Sequence, residues 1–490
     1  MISAAMGTHP NADVRAAKDL GNALRRVGYD ETAITDLLGE DAYASGPEEV
    51  PVHERRLPDT HLANVVRLLF LNLAVPRDAV ARALGERGVE ALAATGLTHV
   101  DGDRVSPRSR MLPMGELLLA ADSYSKGRND PADYVAAYTP TTHVCDSLTP
   151  RRRVQRALDV GTGSGAHAVL AAGHARSVVA TDVNERALSY TRLNAALNGF
   201  DNVECRAGSL FEPVEGETFD LITCNAPYVV SPERRWTYRD AGGEADEVSE
   251  HVVRECARHL ADGGFATMLV SWVARGEDDA DDRVLGWVEQ TGCDAWILVD
   301  SEADALDHAA MWNTHLDDEP SAYARALGEW VGYLDRLGVG KVTDGAVVLH
   351  RREGKILPIR VDTIDEETLE DAAEQVERAF AARARLAALK RQTDLLDERL
   401  SLASAVRLEQ ELEPGRRPTA AVVLAEGTNS VVETTLEGLE VVAALDGGVR
   451  LRDAVKTAAR RLDASDTSAL ERRALTIARE LLELGALEIR

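Results

Sequence analysis

The chain has 490 residues and a formal net charge of −27, from 82 acidic side chains against 55 lysines and arginines. That length has room for two to four domains with cores of their own, and a hydrophobic content of 45% is ordinary for a globular protein. A field of this sign repels polyphosphate, which counts against a nucleic-acid partner unless a local basic patch offsets it. No stretch reaches the roughly 18–20 apolar residues of a membrane span. The first twenty residues lack the basic start and apolar run of a signal peptide. The five cysteines (Cys145, Cys205, Cys224, Cys256, Cys293) are widely spaced and contain no CxxC pair. Neither a disulfide framework nor a metal site is indicated, and a cytoplasmic protein with reduced thiols is expected.

In chain order, residues 1–120 read as mainly helical. Within them "HLANVVRLLFLNLAVPRDAVARALGERGVEALAATGLTHVDGDRVSP" predicts helix, short helix, helix and a hairpin turning at Asp101-Gly102-Asp103, the order of a winged helix. From about 154 short apolar runs alternate with helical stretches, as in "RALDVGTGSG", "SVVATDVN" and "FDLITCNAPY". That alternation predicts strand–helix units around a parallel sheet, so residues 121–355 are read as an α/β, doubly wound domain. A helix-rich insertion is expected at 301–337 and an antiparallel strand closing the sheet edge near "KVTDGAVVLHRR". Residues 356–490 read as helical, with one long amphipathic helix over "EETLEDAAEQVERAFAARARLAALKRQTDLLDERL" and a winged-helix-like tail. Residues 361–490 carry 26 acidic and 18 basic side chains, a poor footprint for DNA.

Two short stretches carry chemistry. "LDVGTGSG" ends a predicted strand and opens a helix. Gly161, Gly163 and Gly165 let the backbone turn sharply and approach a ligand closely. Asp182 ends the next strand, 19 residues after Gly163, where a carboxylate can accept hydrogen bonds from a ribose diol. The spacing G-x-G-x-G is not the dinucleotide fingerprint. The second stretch, Asn225-Ala226-Pro227-Tyr228, follows the fourth strand, the edge at which such sheets bind substrates.

The pattern Asp159-x-Gly161-x-Gly163-x-Gly165 resembles motif I of class I S-adenosylmethionine (SAM) methyltransferases, over about residues 150–300. The resemblance implies SAM as cofactor. Asp159 and the glycines would line its amino-acid end, Asp182 would hold its ribose, and Ser209 with Leu210 would reach its adenine. Many relatives have Asp where Ser209 stands. The corner at 225–228 resembles the [ND]-P-P-[YF] motif of enzymes that methylate planar nitrogens, the HemK-like protein glutamine methyltransferases among them. By that resemblance the Asn225 side chain and the Ala226 carbonyl accept the two N–H bonds of the acceptor. Tyr228 stacks on the planar group, and Pro227 stiffens the loop. Neither a general base nor a metal is called for. Relatives usually have Pro where Ala226 stands, which relaxes the motif. Thr142, with Pro140 and Thr141, falls in a segment that folds over cofactor and substrate in HemK-like enzymes. The whole architecture resembles actinobacterial relatives with flanking winged-helix-like domains.

These readings favour a protein glutamine as acceptor. Methylation of an RNA or DNA base, tailoring of a peptide or natural product, and a SAM-sensing regulator without turnover remain alternatives. His143, Trp272, Trp312 and the basic run "LTPRRRVQR" read as packing or solvated surface rather than as site residues.

Overall fold

The computed structural model describes residue 10 and residues 13–124, 130–233, 243–276, 280–365, 368–403, 406–411, 419–445, 447–464 and 467–490. Its centre is an eight-stranded sheet. Within that sheet the strands are numbered β1 (Val154–Val160), β2 (Ala175–Asp182), β3 (Val203–Ala207), β4 (Phe219–Cys224), β5 (Leu260–Arg275), β6 (Asp294–Asp304), β7 (Val339–His350) and β8 (Arg360–Thr363). Their spatial order is β8-β6-β7-β5-β4-β1-β2-β3. Neighbours among β1 to β5 run parallel, as do β6 and β8, while β7 lies antiparallel between β5 and β6.

The chain winds outward from β1 to β3, then crosses back to β4 and β5. The carboxyl ends of β1 and β4 therefore diverge, and a crevice opens between them. Helices Ala166–Ala172, Glu185–Leu197 and Glu247–His259 provide crossovers, as the alternating pattern predicts. The antiparallel strand expected at the edge is β7, which sits inside the sheet. The edge is closed instead by β8, which the expected division at residue 355 leaves with the C-terminal part. Strands β5 and β7 are mostly buried, with continuous buried runs at Phe265–Ala274 and Gly345–Leu349, so β7 suits an interior place better than a solvent edge.

In the N-terminal region helices Arg77–Leu84 and Glu86–Ala94 precede the hairpin Thr98–Asp101/Arg104–Pro107. A second hairpin, Ser109–Met114/Leu117–Asp122, leads into the central domain. Leu20, Leu24, Phe70 and Met111 share one core with Ala187, Tyr190 and Leu193 of the helix after β2. The insertion between β6 and β7 forms helices Ala305–Trp312 and Pro320–Arg336.

Beyond β8 the expected long helix is shorter, Ala373–Ala388. Leu389 turns to an extended conformation, and a 3-10 turn, Gln392–Asp397, follows. The helix lies on the sheet. Phe380 meets Phe265 of β5 edge-on at 5.5 Å, and Arg383 donates to the Ala295 carbonyl of β6 at 3.1 Å. The C-terminal region is helical with two additions: a three-stranded meander of Val406–Glu411, Thr419–Leu424 and Val431–Thr434, and a small antiparallel sheet in which Arg399–Leu402 pairs with Val449–Arg450 and Leu487–Ile489.

Candidate active site

A cleft of about 730 Å³ opens at the crevice between β1 and β4. Its floor is the loop 161–165. Gly161 has φ +66° and lies so close to Ala226 that a Cβ there would come within 3.1 Å of the Ala226 Cβ. Gly165 has φ +85°, and a Cβ there would meet Thr191 at 2.8 Å. Both positions therefore need glycine for conformation and for contact. Gly163 has φ +55° and open space on its Cβ side, which leaves its backbone accessible to a ligand.

Asp182, at the end of β2, lines the cleft. Its Oδ2 accepts from the Gly163 N–H at 2.9 Å and its Oδ1 from the Asn184 N–H at 2.8 Å. An ionised carboxylate has about four acceptor positions, so each oxygen keeps capacity for a ligand hydroxyl. Burial raises its pKa.

Asp159 is placed differently from its expected role beside the ligand. It is only 1% exposed and sits beneath the loop. Its Oδ2 accepts from Thr162 Oγ1 at 2.6 Å and from the Ala168 N–H at 3.1 Å, and its Oδ1 from Thr223 Oγ1 at 3.1 Å. These bonds tie the loop and its helix to β4, and burial pushes the carboxyl up to about 6. Gly165 likewise faces Thr191 rather than the cleft.

Ser209 and Leu210 line the far end. Leu210 adopts φ +46°, unusual for a branched residue, and its carbonyl accepts from Thr181 Oγ1 at 2.9 Å. Asn225, Ala226, Pro227 and Tyr228 line the other half. Among the described residues the Asn225 amide makes no hydrogen bond, so it is available to a ligand. Thr141 and Thr142 reach the cleft from the first turn of helix Pro140–Ser147, which Thr139 caps. Trp312 joins this wall, whereas Trp272 is fully buried in the sheet. His143 faces away, its Nε2 donating to the Leu369 carbonyl at 3.0 Å. In the basic run, Arg151 pairs with Asp146, and Arg152 and Arg156 cover the rings of Phe265 and Phe219.

Sequence reasoning missed the residues that hold the roof. Tyr134 to Ala137 cover the cleft as a strap. Asp122 fixes it: its Oδ2 accepts from the Val135 N–H at 2.8 Å, and its own N–H donates to the Val135 carbonyl at 3.1 Å. The same carboxylate pairs with Arg186 and accepts from the Tyr190 hydroxyl at 2.8 Å. Asn194 bridges the Ala120 backbone to the Ser164 carbonyl, both at 2.8 Å. His167 also lines the cleft. Burial holds its imidazole neutral, with a pKa pushed down to about 3.

Residues 153–273 match a family described as a methyltransferase domain. Over these residues the chain is similar to a methyltransferase domain. Residues 26–108 match a separate domain family of unknown function. The release factor glutamine methyltransferase of Deinococcus radiodurans is 39% identical over 155 residues, which cover 29% of this chain and 55% of that protein. The ribosomal protein uL3 glutamine methyltransferase of Bradyrhizobium diazoefficiens is 34% identical over 143 residues, 26% of this chain and 44% of that one. The chain thus spans about half the length of the curated relatives it matches. Among solved structures, Trm5b from Pyrococcus abyssi aligns with 51% of this chain and 62% of its own at 15% identity and a TM-score of 0.29. The residues matched to the methyltransferase domain family, 153–273, include the Gly-rich loop, Asp182 and the corner at Asn225. Among the described residues no helix is long and apolar enough to cross a membrane.

Proposed function

We propose that the protein transfers a methyl group from SAM to a planar nitrogen, and that the acceptor is a glutamine amide of a protein. The observation that carries this reading is the Asn225 amide, without an internal partner, in the same cleft as the Asp182 carboxylate. The names of the relatives, which include release factor and uL3 glutamine methyltransferases, support the choice of acceptor.

The residues fit the cofactor. Asp182 has acceptor capacity for a ribose diol, and Gly163 leaves room for close approach. Leu210 and Val183 offer apolar surface to an adenine. SAM, when bound, supplies an already activated methyl group. The protein's task is then to present the acceptor. An amide nitrogen is a poor nucleophile because its lone pair is delocalised into the carbonyl. Asn225 Oδ1 and the Ala226 carbonyl accept its two N–H bonds, which orients the nitrogen and favours pyramidal character as it attacks. Tyr228 provides a flat face beside the planar group. After transfer the positively charged nitrogen loses one of its protons to solvent, since the Asn225 and Ala226 oxygens accept hydrogen bonds but are too weakly basic to keep a proton.

The test is transfer of labelled methyl from SAM into a lysate separated into protein, nucleic acid and small molecules. Label in protein is expected, as amide-linked methylglutamine after digestion. Label confined to RNA or DNA refutes the protein-amide assignment.

A further inference from the structure

Trp312 is the cleft-lining residue contributed by the insertion between β6 and β7, and it stands in the half that holds Tyr228. Several contacts fasten that insertion to the segment leaving the Asn225 corner. His308 is 1% exposed and its Nε2 lies 2.9 Å from the Val230 carbonyl; a carbonyl only accepts, so this nitrogen carries the proton. Val229 packs on Ala309 and Trp330, with Tyr228 and Trp312 against the same cluster. Trp330 Nε1 donates to Glu233 at 3.3 Å, and the Tyr333 hydroxyl accepts from the Ala245 N–H at 3.0 Å. The insertion is therefore built onto the acceptor side of the cleft and leaves the ribose end at Asp182 untouched.

Its charge is one-sided. Residues 305–338, between β6 and β7, contain six acidic and two basic side chains, a net charge of −4. Asp317 and Asp318, just beyond Trp312, are exposed. A cleft wall carried on an insertion of net negative charge disfavours a polyphosphate chain and favours a cationic polypeptide.

We infer that the insertion at 305–338 is the acceptor-recognition element, that Trp312 is the wall against which the acceptor side chain is held, and that the acceptor lies in a basic polypeptide segment. This rests on the methyl-transfer reading above. It adds which part of the chain selects the acceptor and what charge the acceptor carries.

The experiment compares the full-length wild type with Trp312→Ala, Trp312→Phe and the double variant Asp317→Asn/Asp318→Asn. Binding of S-adenosylhomocysteine is followed by calorimetry. Labelled methyl transfer is followed into lysate protein separated by cation exchange. Label from the wild type is expected in the retained, basic fraction. Trp312→Ala is expected to lower transfer at limiting acceptor at least about tenfold, and Trp312→Phe to restore most of it, with S-adenosylhomocysteine affinity unchanged in both. The Asp317/Asp318 variant is expected to weaken the fall of transfer with rising salt. Label in the unretained fraction, transfer by Trp312→Ala equal to wild type, or an equal loss of cofactor affinity overturns the inference. A wild type that binds no S-adenosylhomocysteine or labels nothing overturns the methyltransferase reading itself, and the inference with it.

Discussion

Replacing Asp159 by Asn should make the protein more stable at neutral pH. Burial of this carboxyl beneath the Gly-rich loop moves its pKa from 3.8 to about 6. The native state therefore keeps a proton between those values that the unfolded chain has released. Stability falls as pH rises through this window and levels off above it. At 1.36 kcal/mol per pH unit, the ionised form costs the native state about 3 kcal/mol at pH 7.5 and less than about 1 kcal/mol near pH 4. Asn preserves the hydrogen bonds. Its oxygen can take the place of Oδ2, which accepts from Thr162 and Ala168, and its amide can face Thr223 Oγ1. That hydroxyl reaches the Leu158 carbonyl at 3.4 Å and retains lone pairs to accept. Thermal unfolding by circular dichroism, run on both proteins from pH 4 to 7.5, should show the variant several degrees above wild type at pH 7.5 and the two nearly coincident near pH 4. Because the other carboxylates are common to both proteins, and Asp182 is the one whose charge is felt at Asp159, the difference reports chiefly Asp159. A gap that stays constant with pH, or a variant less stable at pH 7.5, would refute the reasoning.

Asp182→Ala removes an ionised acceptor for two sugar hydroxyls, at about 1.5–3 kcal/mol each. The Kd for S-adenosylhomocysteine should rise at least about a hundredfold by calorimetry, and a loss within threefold would take Asp182 out of the ribose site. Asn225→Ala should leave that Kd within about threefold and lower kcat by about 10²–10³, the usual effect of deleting one preorganised partner; a variant with wild-type turnover contradicts the proposed role. Gly165→Ala places a methyl group 2.8 Å from Thr191 at φ +85° and should cost about 2–3 kcal/mol in urea unfolding. Adding Thr191→Ala removes the Cγ2 and Oγ1 contacts but leaves the Thr191 Cα at 2.9 Å, so it should recover only a small part of that loss, and full recovery would contradict a cost set by the backbone.

What could be read from the sequence was local. The glycines and Asp182 announce themselves because a strand that ends in a tight turn before a helix needs these residue types at that spacing. The corner at Asn225 was legible for the same reason. Asp159 was seen but misplaced: the sequence places it two residues before the loop, and only the fold shows Thr162, Ala168 and Thr223 using all of its bonds. Asp122 and Asn194 were invisible, since each acts on backbone more than ten residues away, across a hairpin or a helix that pattern alone does not dock. The long helix after β8 was over-extended because its charged periodicity persists past Ala388, where the chain turns at Leu389 to start packing on itself. The meander at 406–434 was missed because its strands are short and half exposed, and so lack a clean alternation.

The helix Ala373–Ala388 has a consequence for how the molecule is made. It covers β5 and β6 with Phe380 and Arg383, yet it follows the first residue of β1 by more than 200 positions. At a synthesis rate of about 5–20 residues per second, the face of the sheet around Phe265 waits on the order of tens of seconds for its cover. During that interval the nascent chain presents a broad apolar surface and an unfinished strand edge. The sheet therefore matures late, and until Phe380 arrives its apolar face around Phe265 is open to non-native contacts with other chains.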